Sequence, residues 1–220
     1  VDIPLIADID TGYGNAVNVI HTINEFERAG AAGMIMEDQI SPKRCPICVD
    51  ETNTLIPVEE AVGKIRAAVE NKLNKDTVII ARTDATNREE LMKRAKAYRE
   101  AGADLVQPIS RAFSNKEEVK DFVKSVGCPV SLVIVGWLES LTAEDIHDIG
   151  PKIAHFALIS VTAAHAAIKQ ALQFVGKNHT AVNLPQSRTG HGELVDFLGI
   201  KRVSDLETKY LPDESTIYNS

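Results

Sequence analysis

Asp8, Asp10 and Glu37 are carboxylates at the ends of β-rich runs, and their spacing suggests shared chemistry. Asp8 and Asp10 stand two apart on a strand expected over Pro4–Asp10, so both side chains should point to one face; Glu37 closes the next run, Gly33–Glu37. Like charges repel, and three carboxylates at a partly buried rim are costly unless they share a cation. An all-oxygen set of carboxylates and waters suits Mg2+ or Mn2+ rather than zinc. Taken singly, each could equally be a solvated loop carboxylate or a helix cap. Arg82 ends a third run, Thr77–Arg82, and its planar fork could hold a carboxylate or phosphonate through two bonds, or pair with Asp84 or Asp10.

Between the first strand and the next helix lies Thr11-Gly12-Tyr13-Gly14-Asn15, whose glycines can take positive φ and bring backbone amides close to an anion. Gly12, Tyr13 and Asp10 therefore join Arg82 as candidate substrate contacts. The run lacks both the dinucleotide fingerprint and the Gly-Lys-Ser/Thr of a phosphate loop. A second unusual loop, Ser41-Pro42-Lys43-Arg44-Cys45-Pro46-Ile47-Cys48, sets two cations beside a thiol. Lys43 and Arg44 would lower the pKa of Cys45 and make it a proton donor or nucleophile. Cys45 and Cys48 form a single C-x-x-C pair; zinc would need a second pair, and a thioredoxin-like pair would open a helix. The six histidines are scattered, and His21, His155 and His165 read as structural.

The elements that must position these groups alternate strand and helix, the mark of βα units around a parallel sheet. Val58, Ala61, Val62, Ile65, Ala68 and Val69 form one helical stripe, with Pro57 at its start. Helices over 89–101 and 115–126 lead to strands over 104–108 and 130–135. Ser114 with Glu117, and Thr142 with Asp145, have the spacing of capping boxes. A last strand, Ile153–Ile159, precedes a helix with Val161, Ala164, Ile168, Ala171, Leu172 and Val175 on one face, which makes six βα units. Arg28-Ala29-Gly30-Ala31 and Glu100-Ala101-Gly102-Ala103 form a weak repeat before two of the strands. Residues 1–175 thus read as the catalytic domain, and 176–220 as a C-terminal arm with helical patterns at Glu193–Leu198 and Ser204–Leu211.

At 220 residues and 44% hydrophobic, the chain can bury a core, which excludes wholesale disorder. Lys and Arg number 24 against 31 Asp and Glu, a formal charge of -7 that argues against a nucleic-acid surface and for a small-molecule ligand. The absence of a long apolar run or basic leader, with an odd three cysteines, leads us to expect a cytoplasmic, non-membrane protein. Residue 1 is Val and the strand pattern starts at once, so a segment of something longer is expected.

Ala7-Asp8-Ile9-Asp10-Thr11-Gly12-Tyr13-Gly14-Asn15, Glu37-Asp38-Gln39, Pro42-Lys43-Arg44-Cys45 and Ala81-Arg82-Thr83-Asp84-Ala85 together resemble the isocitrate lyase / phosphoenolpyruvate mutase superfamily. The resemblance implies an α/β fold, a (β/α)8 TIM-type barrel that here starts at the family's third strand and so lacks its first two βα units. It also implies a homotetramer with exchanged C-terminal helices, and a Mg2+ site that stabilises an enolate. By resemblance Asp8, Asp10 and Glu37 fall on the metal carboxylates and Arg82 on the substrate-anion arginine. Lys43, Arg44 and Cys45 fall on the gating loop, whose cysteine transfers a proton in the carbon–carbon lyases. The lyase loop continues Cys-Gly-His, whereas Pro46 and Ile47 stand here, and Gln107-Pro108-Ile109-Ser110 stands where lyases carry a glutamate. From there onward the chain is closer to the phosphoenolpyruvate mutase and phosphonopyruvate hydrolase branch, which lacks the loop cysteine. Three readings follow: a Mg2+-dependent carbon–carbon lyase, a phosphonate P–C bond enzyme, and a non-catalytic protein that binds a keto acid.

Overall fold

A computed structural model describes residues 2–44, 54–185 and 187–212, with Cys45 and Cys48 outside the described residues. The strands are β1 (Ile6–Asp8), β2 (Gly33–Glu37), β3 (Val78–Thr83), β4 (Leu105–Pro108), β5 (Ser131–Ile134) and β6 (Ile153–Phe156). Between them run α1 (Ala16–Arg28), α2 (Val58–Asn71), α3 (Arg88–Glu100), α4 (Lys116–Val126) and α5 (Ala143–Ile149). β1 to β4 form one parallel sheet in sequence order and β5 pairs with β6. A parallel bridge between Val106 and Val130 links the two sets, so the strands neighbour one another in chain order. Among the described residues β1 pairs with β2 alone and β6 with β5 alone, so these six strands do not close into a ring.

Each inner strand contributes buried apolar residues, Met34, Ile79, Val106 and Leu132 among them. Against them pack Val19 and Ile23 of α1, Ala61, Ile65 and Ala68 of α2, Leu91 and Ala95 of α3, and Val119 and Phe122 of α4. The stripe read from the sequence of α2 is the buried one. The repeated Ala-Gly turns behave alike: Gly30 and Gly102 follow α1 and α3 at φ +95 and +97, a conformation that side chains resist.

The Thr142–Asp145 capping box is present, with both side chains bonded to the other's backbone N–H. The Ser114–Glu117 box is not. Asn115 is the cap, its Oδ1 accepting from the Glu118 N–H at 3.0 Å, while Glu118 accepts from the Ser114 N–H at 2.8 Å. The frame moves by one residue because an amide oxygen at 115 reaches the free amide as well as a hydroxyl at 114 would. Asn115→Ala is expected to cost about 1 kcal/mol of stability and Ser114→Ala much less, as read by urea denaturation.

The last strand ends at Phe156 rather than Ile159, because Leu158 turns at φ +64 and Ile159 opens the next helix. Val1–Leu158 and Ile159–Ser220 are two compact units. The second holds α6 (Ile159–Asn178), α7 (His191–Phe197) and α8 (Ile200–Tyr210). Its expected apolar stripe is exposed at Val161, Ile168, Leu172 and Val175. Among the described residues no helix is long and apolar enough to cross a membrane.

Candidate active site

The strand ends carry the charge. The β2–β3 register sets Glu37 opposite Arg82, and the backbone N–H of Glu37 donates to the Asp10 carbonyl at 2.8 Å. Three neighbouring chain segments therefore deliver Asp8, Asp10, Glu37 and Arg82 to one rim. Lys43 closes the group, its Nζ 2.5 Å from Asp10 Oδ1, 3.4 Å from Asp8 Oδ2 and 3.5 Å from Glu37 Oε1. Burial opposes the charge on Lys43, but the Asp10 hydrogen bond and the surrounding carboxylates hold its pKa above the ordinary lysine value.

Asp8 and Asp10 reach this point differently from the expectation of a shared strand face. β1 ends at Asp8, and Asp10 lies beyond it in a left-handed turn at φ +51. Its backbone N–H donates to Asp8 Oδ1 at 2.9 Å. A strand spacing of two residues does not apply where the chain has already turned. Gly12 is also placed otherwise than expected: its N–H donates to the Ile9 carbonyl at 2.9 Å and is committed within the turn. A Cβ there would stand 2.5 Å from Val19 Cγ2 and 2.9 Å from Met36 Sδ, so the glycine lets the loop pack on α1 and β2. Tyr13, at φ +56, is exposed beside it.

Glu37 is 4% exposed, and burial pushes its pKa up to about 7 against the pull of Arg82 and Lys43. Its Oε2 lies 3.4 Å from Arg82 Nη1. Its Oε1 is buried without a hydrogen-bond partner. That orphaned oxygen, and a lysine monocation facing three carboxylates, fit a hard divalent cation held by oxygen donors. Among the described residues no group of three His, Cys, Asp or Glu is arranged to hold a metal ion as it stands; Asp8, Asp10 and Glu37 meet around the Lys43 ammonium.

Arg82 realises its pairing with Asp84, donating from Nε at 2.7 Å and Nη2 at 3.2 Å. Gln39 Nε2 donates at 2.6 Å to Oδ2 of that carboxylate, the oxygen that also accepts from Arg82 Nη2, and Gln39 Oε1 accepts from the Arg44 backbone N–H at 2.9 Å. The stems of the segment that carries Cys45 are pinned together by a Gln39–Leu55 bridge. Behind these groups lies a network that sequence reasoning missed. Asp38 Oδ2 accepts from Tyr98 Oη at 2.6 Å and Arg94 Nη1 at 3.1 Å, and its Oδ1 accepts from the Asp84 N–H at 2.9 Å. The signal was present in α3, where Arg94 interrupts the buried face made by Leu91, Ala95 and Tyr98.

On the other side of Arg82, at the ends of β4 and β5, an apolar cavity of about 430 Å3 opens between Ile109, Val133, Val135 and Trp137. His155 Nε2 lies 2.7 Å from Ser131 Oγ, which donates to Gln107 Oε1 at 2.7 Å. Burial lowers the His155 pKa.

The sequence model of a family described as phosphoenolpyruvate phosphomutase matches residues 1–175. The chain is 32% identical over 213 residues to 2,3-dimethylmalate lyase of Eubacterium barkeri, covering 94% of this chain and 72% of that one. The crystal structure of phosphoenolpyruvate phosphomutase from Streptomyces platensis subsp. rosaceus superposes with a TM-score of 0.87 at 28% identity, over 96% of this chain and 75% of that one. Phosphonopyruvate hydrolase, solved with oxalate and Mg2+, superposes with a TM-score of 0.82 at 34% identity, over 96% and 74% of the two chains. The chain thus spans about three quarters of the length of these relatives, and its α/β fold is the one they share.

Proposed function

Because the chain belongs to the phosphoenolpyruvate mutase / isocitrate lyase superfamily, we propose that it is a Mg2+-dependent lyase. It breaks a carbon–carbon bond beside the carboxylate of a 2-hydroxy or 2-oxo acid through an enolate. The observation that carries this reading is the convergence of Asp8, Asp10 and Glu37 on one cation beside Arg82. Those three carboxylates would hold Mg2+, or Mn2+, which when bound supplies positive charge against the enolate charge that develops. Arg82, fixed by Asp84 and Glu37, orients the anionic end of the acid. Gly12 shapes the loop that carries Tyr13 and Asp10 to the same rim. Lys43 and Arg44 lower the pKa of the Cys45 thiol and so make it a stronger acid, and that thiol would deliver its proton to the departing carbanion and be left as thiolate.

The second reading, a phosphonate P–C bond enzyme, is favoured by the stretch from Gln107 to Ser110 and by the likeness to phosphonopyruvate hydrolase. There the loop would only exclude water. A keto-acid-binding protein without turnover is the third. A cytosolic homo-oligomer built through the C-terminal arm belongs to the same proposal, and the exposed apolar residues of α6 support it.

The test is incubation with Mg2+ and isocitrate, methylisocitrate, dimethylmalate, oxaloacetate and phosphonopyruvate, with and without chelator. Metal-dependent pyruvate or glyoxylate from a hydroxy acid supports the lyase, and product from phosphonopyruvate alone supports the second reading. Cys45→Ser is expected to lower lyase turnover by about 10²- to 10⁴-fold, the range for a lost proton donor, and to spare any P–C cleavage. Metal-dependent binding without product from any of these acids would leave the third.

A further inference from the structure

Resting on that reading of the carboxylate rim, we infer that Lys64, helped by Thr22, is a positioning residue for Asp10. Lys64 stands on the buried face of α2 with Ala61, Ile65 and Ala68, and is 4% exposed. Its Nζ donates to the Thr11 carbonyl at 3.1 Å, 53 residues back in the chain. The next carbonyl, that of Gly12, accepts from Thr22 Oγ1 of α1 at 3.2 Å, a hydroxyl shared with the Asn18 carbonyl at 3.1 Å. Two helices thus hold two consecutive carbonyls of the turn that follows Asp10.

That turn has to be held. Asp10 at φ +51 and Tyr13 at φ +56 both take a left-handed backbone that side chains resist, and such residues persist only where their surroundings over-determine them. The other polar groups of the turn are engaged: the Gly12 N–H on the Ile9 carbonyl, the Asp10 carbonyl by the Glu37 N–H, and the Asp10 N–H on Asp8 Oδ1. Lys64 is a costly way to complete the set. An ammonium buried on an apolar helix face forfeits hydration that one carbonyl does not restore, whereas a methionine would fill the same stripe without that loss. Glu60, one turn earlier on α2, is exposed and offsets only part of it, so burial holds the Lys64 pKa below the ordinary lysine value. Packing alone does not account for a charge there; the carbonyl beside Asp10 does.

The test compares the full chain with Lys64→Met. In chelator, amide hydrogen exchange at Gly12 and Glu37, whose N–H groups close the turn on the Ile9 and Asp10 carbonyls, should quicken at least tenfold, and at Val106 in β4 far less. Calorimetric titration with Mg2+ alone should show a Kd weakened roughly five- to fiftyfold, the range for releasing one or two strained residues. Ile65→Ala, a cavity on the same helix face, is the control: it should lower the urea midpoint and leave Mg2+ affinity unchanged. Where Lys64→Met fails to fold, Thr22→Val reads the same two quantities through the next carbonyl. Unchanged exchange at Gly12 and Glu37, unchanged Mg2+ affinity, or an equal loss of affinity in Ile65→Ala each overturns the inference and leaves the lyase reading standing. If the parent chain binds no Mg2+, the reading of the rim is overturned and the inference with it.

Discussion

Replacing Glu37 with glutamine is expected to lower Mg2+-dependent turnover on the order of a thousandfold and, at the same time, to stabilise the metal-free fold at pH 8. The first effect follows from the loss of an anionic oxygen from the set that would hold the cation. Metal stabilisation of developing charge is worth several kcal/mol, and each 1.36 kcal/mol is about a factor of ten in rate. The second follows from burial, which raises the Glu37 pKa from its ordinary 4.5 to about 7. The fold therefore binds a proton that the unfolded chain has already released between those values. Its contribution to stability is unfavourable above pH 4.5 and worsens as pH rises to about 7, reaching on the order of 3 kcal/mol. Glutamine does not titrate. Urea unfolding in chelator at pH 5 and pH 8 should show a smaller loss with rising pH in Glu37→Gln than in the parent. A variant that keeps full metal-dependent turnover would remove Glu37 from the site.

Arg94→Met is expected to cost about 3–5 kcal/mol, because it strands the carboxylate of Asp38, which is 2% exposed, without its cation. That is a large share of the roughly 5–15 kcal/mol that holds a domain together. Tyr98→Phe removes the hydrogen bond to the same oxygen, and the longer one that Tyr98 Oη accepts from Arg94 at 3.3 Å, and should cost about 1–3 kcal/mol. Substituting both Arg94 and Asp38 with apolar residues should recover only part of the loss. Asp38 also accepts from the Asp84 N–H, which would lose that acceptor. Chemical denaturation midpoints of the three variants check the order. The consequence reaches the site, since Asp38 fixes the backbone of Asp84, and Asp84 fixes the guanidinium of Arg82.

The βα rhythm was legible because buried strands and amphipathic helices must show periods of two and 3.6 whatever packs against them. The stripe of α2, the Ala-Gly turns after α1 and α3 and the Thr142 cap each depend on residues close in sequence. The Asn115 cap was missed by one residue, since several side chains near a helix start can serve the same free amide. For the site, the sequence gathered Asp8, Asp10, Glu37 and Arg82 at one rim through their common position at strand ends, and read Lys43 only as a cation of the loop that carries Cys45. It could not say that Asp10 arrives through a left-handed turn, or that Gly12 is there for packing rather than for its amide.

What the sequence by itself determined was the fold class, the family and the set of charged residues at the strand ends. Those follow from local periodicity and from residue types in order. Only the tertiary structure decided which charge meets which. It set Lys43 among three carboxylates, turned Arg82 toward Asp84 and Glu37, and withdrew Asp38 into the core with Arg94 and Tyr98. It also placed Ile109, Val133 and Val135, ordinary strand-end residues in the sequence, around one cavity beside Arg82. The physical reason is that Coulomb and hydrogen-bond energies depend on separations of a few ångströms between residues dozens of positions apart. Strand register and turn geometry set those separations, and no local pattern encodes them.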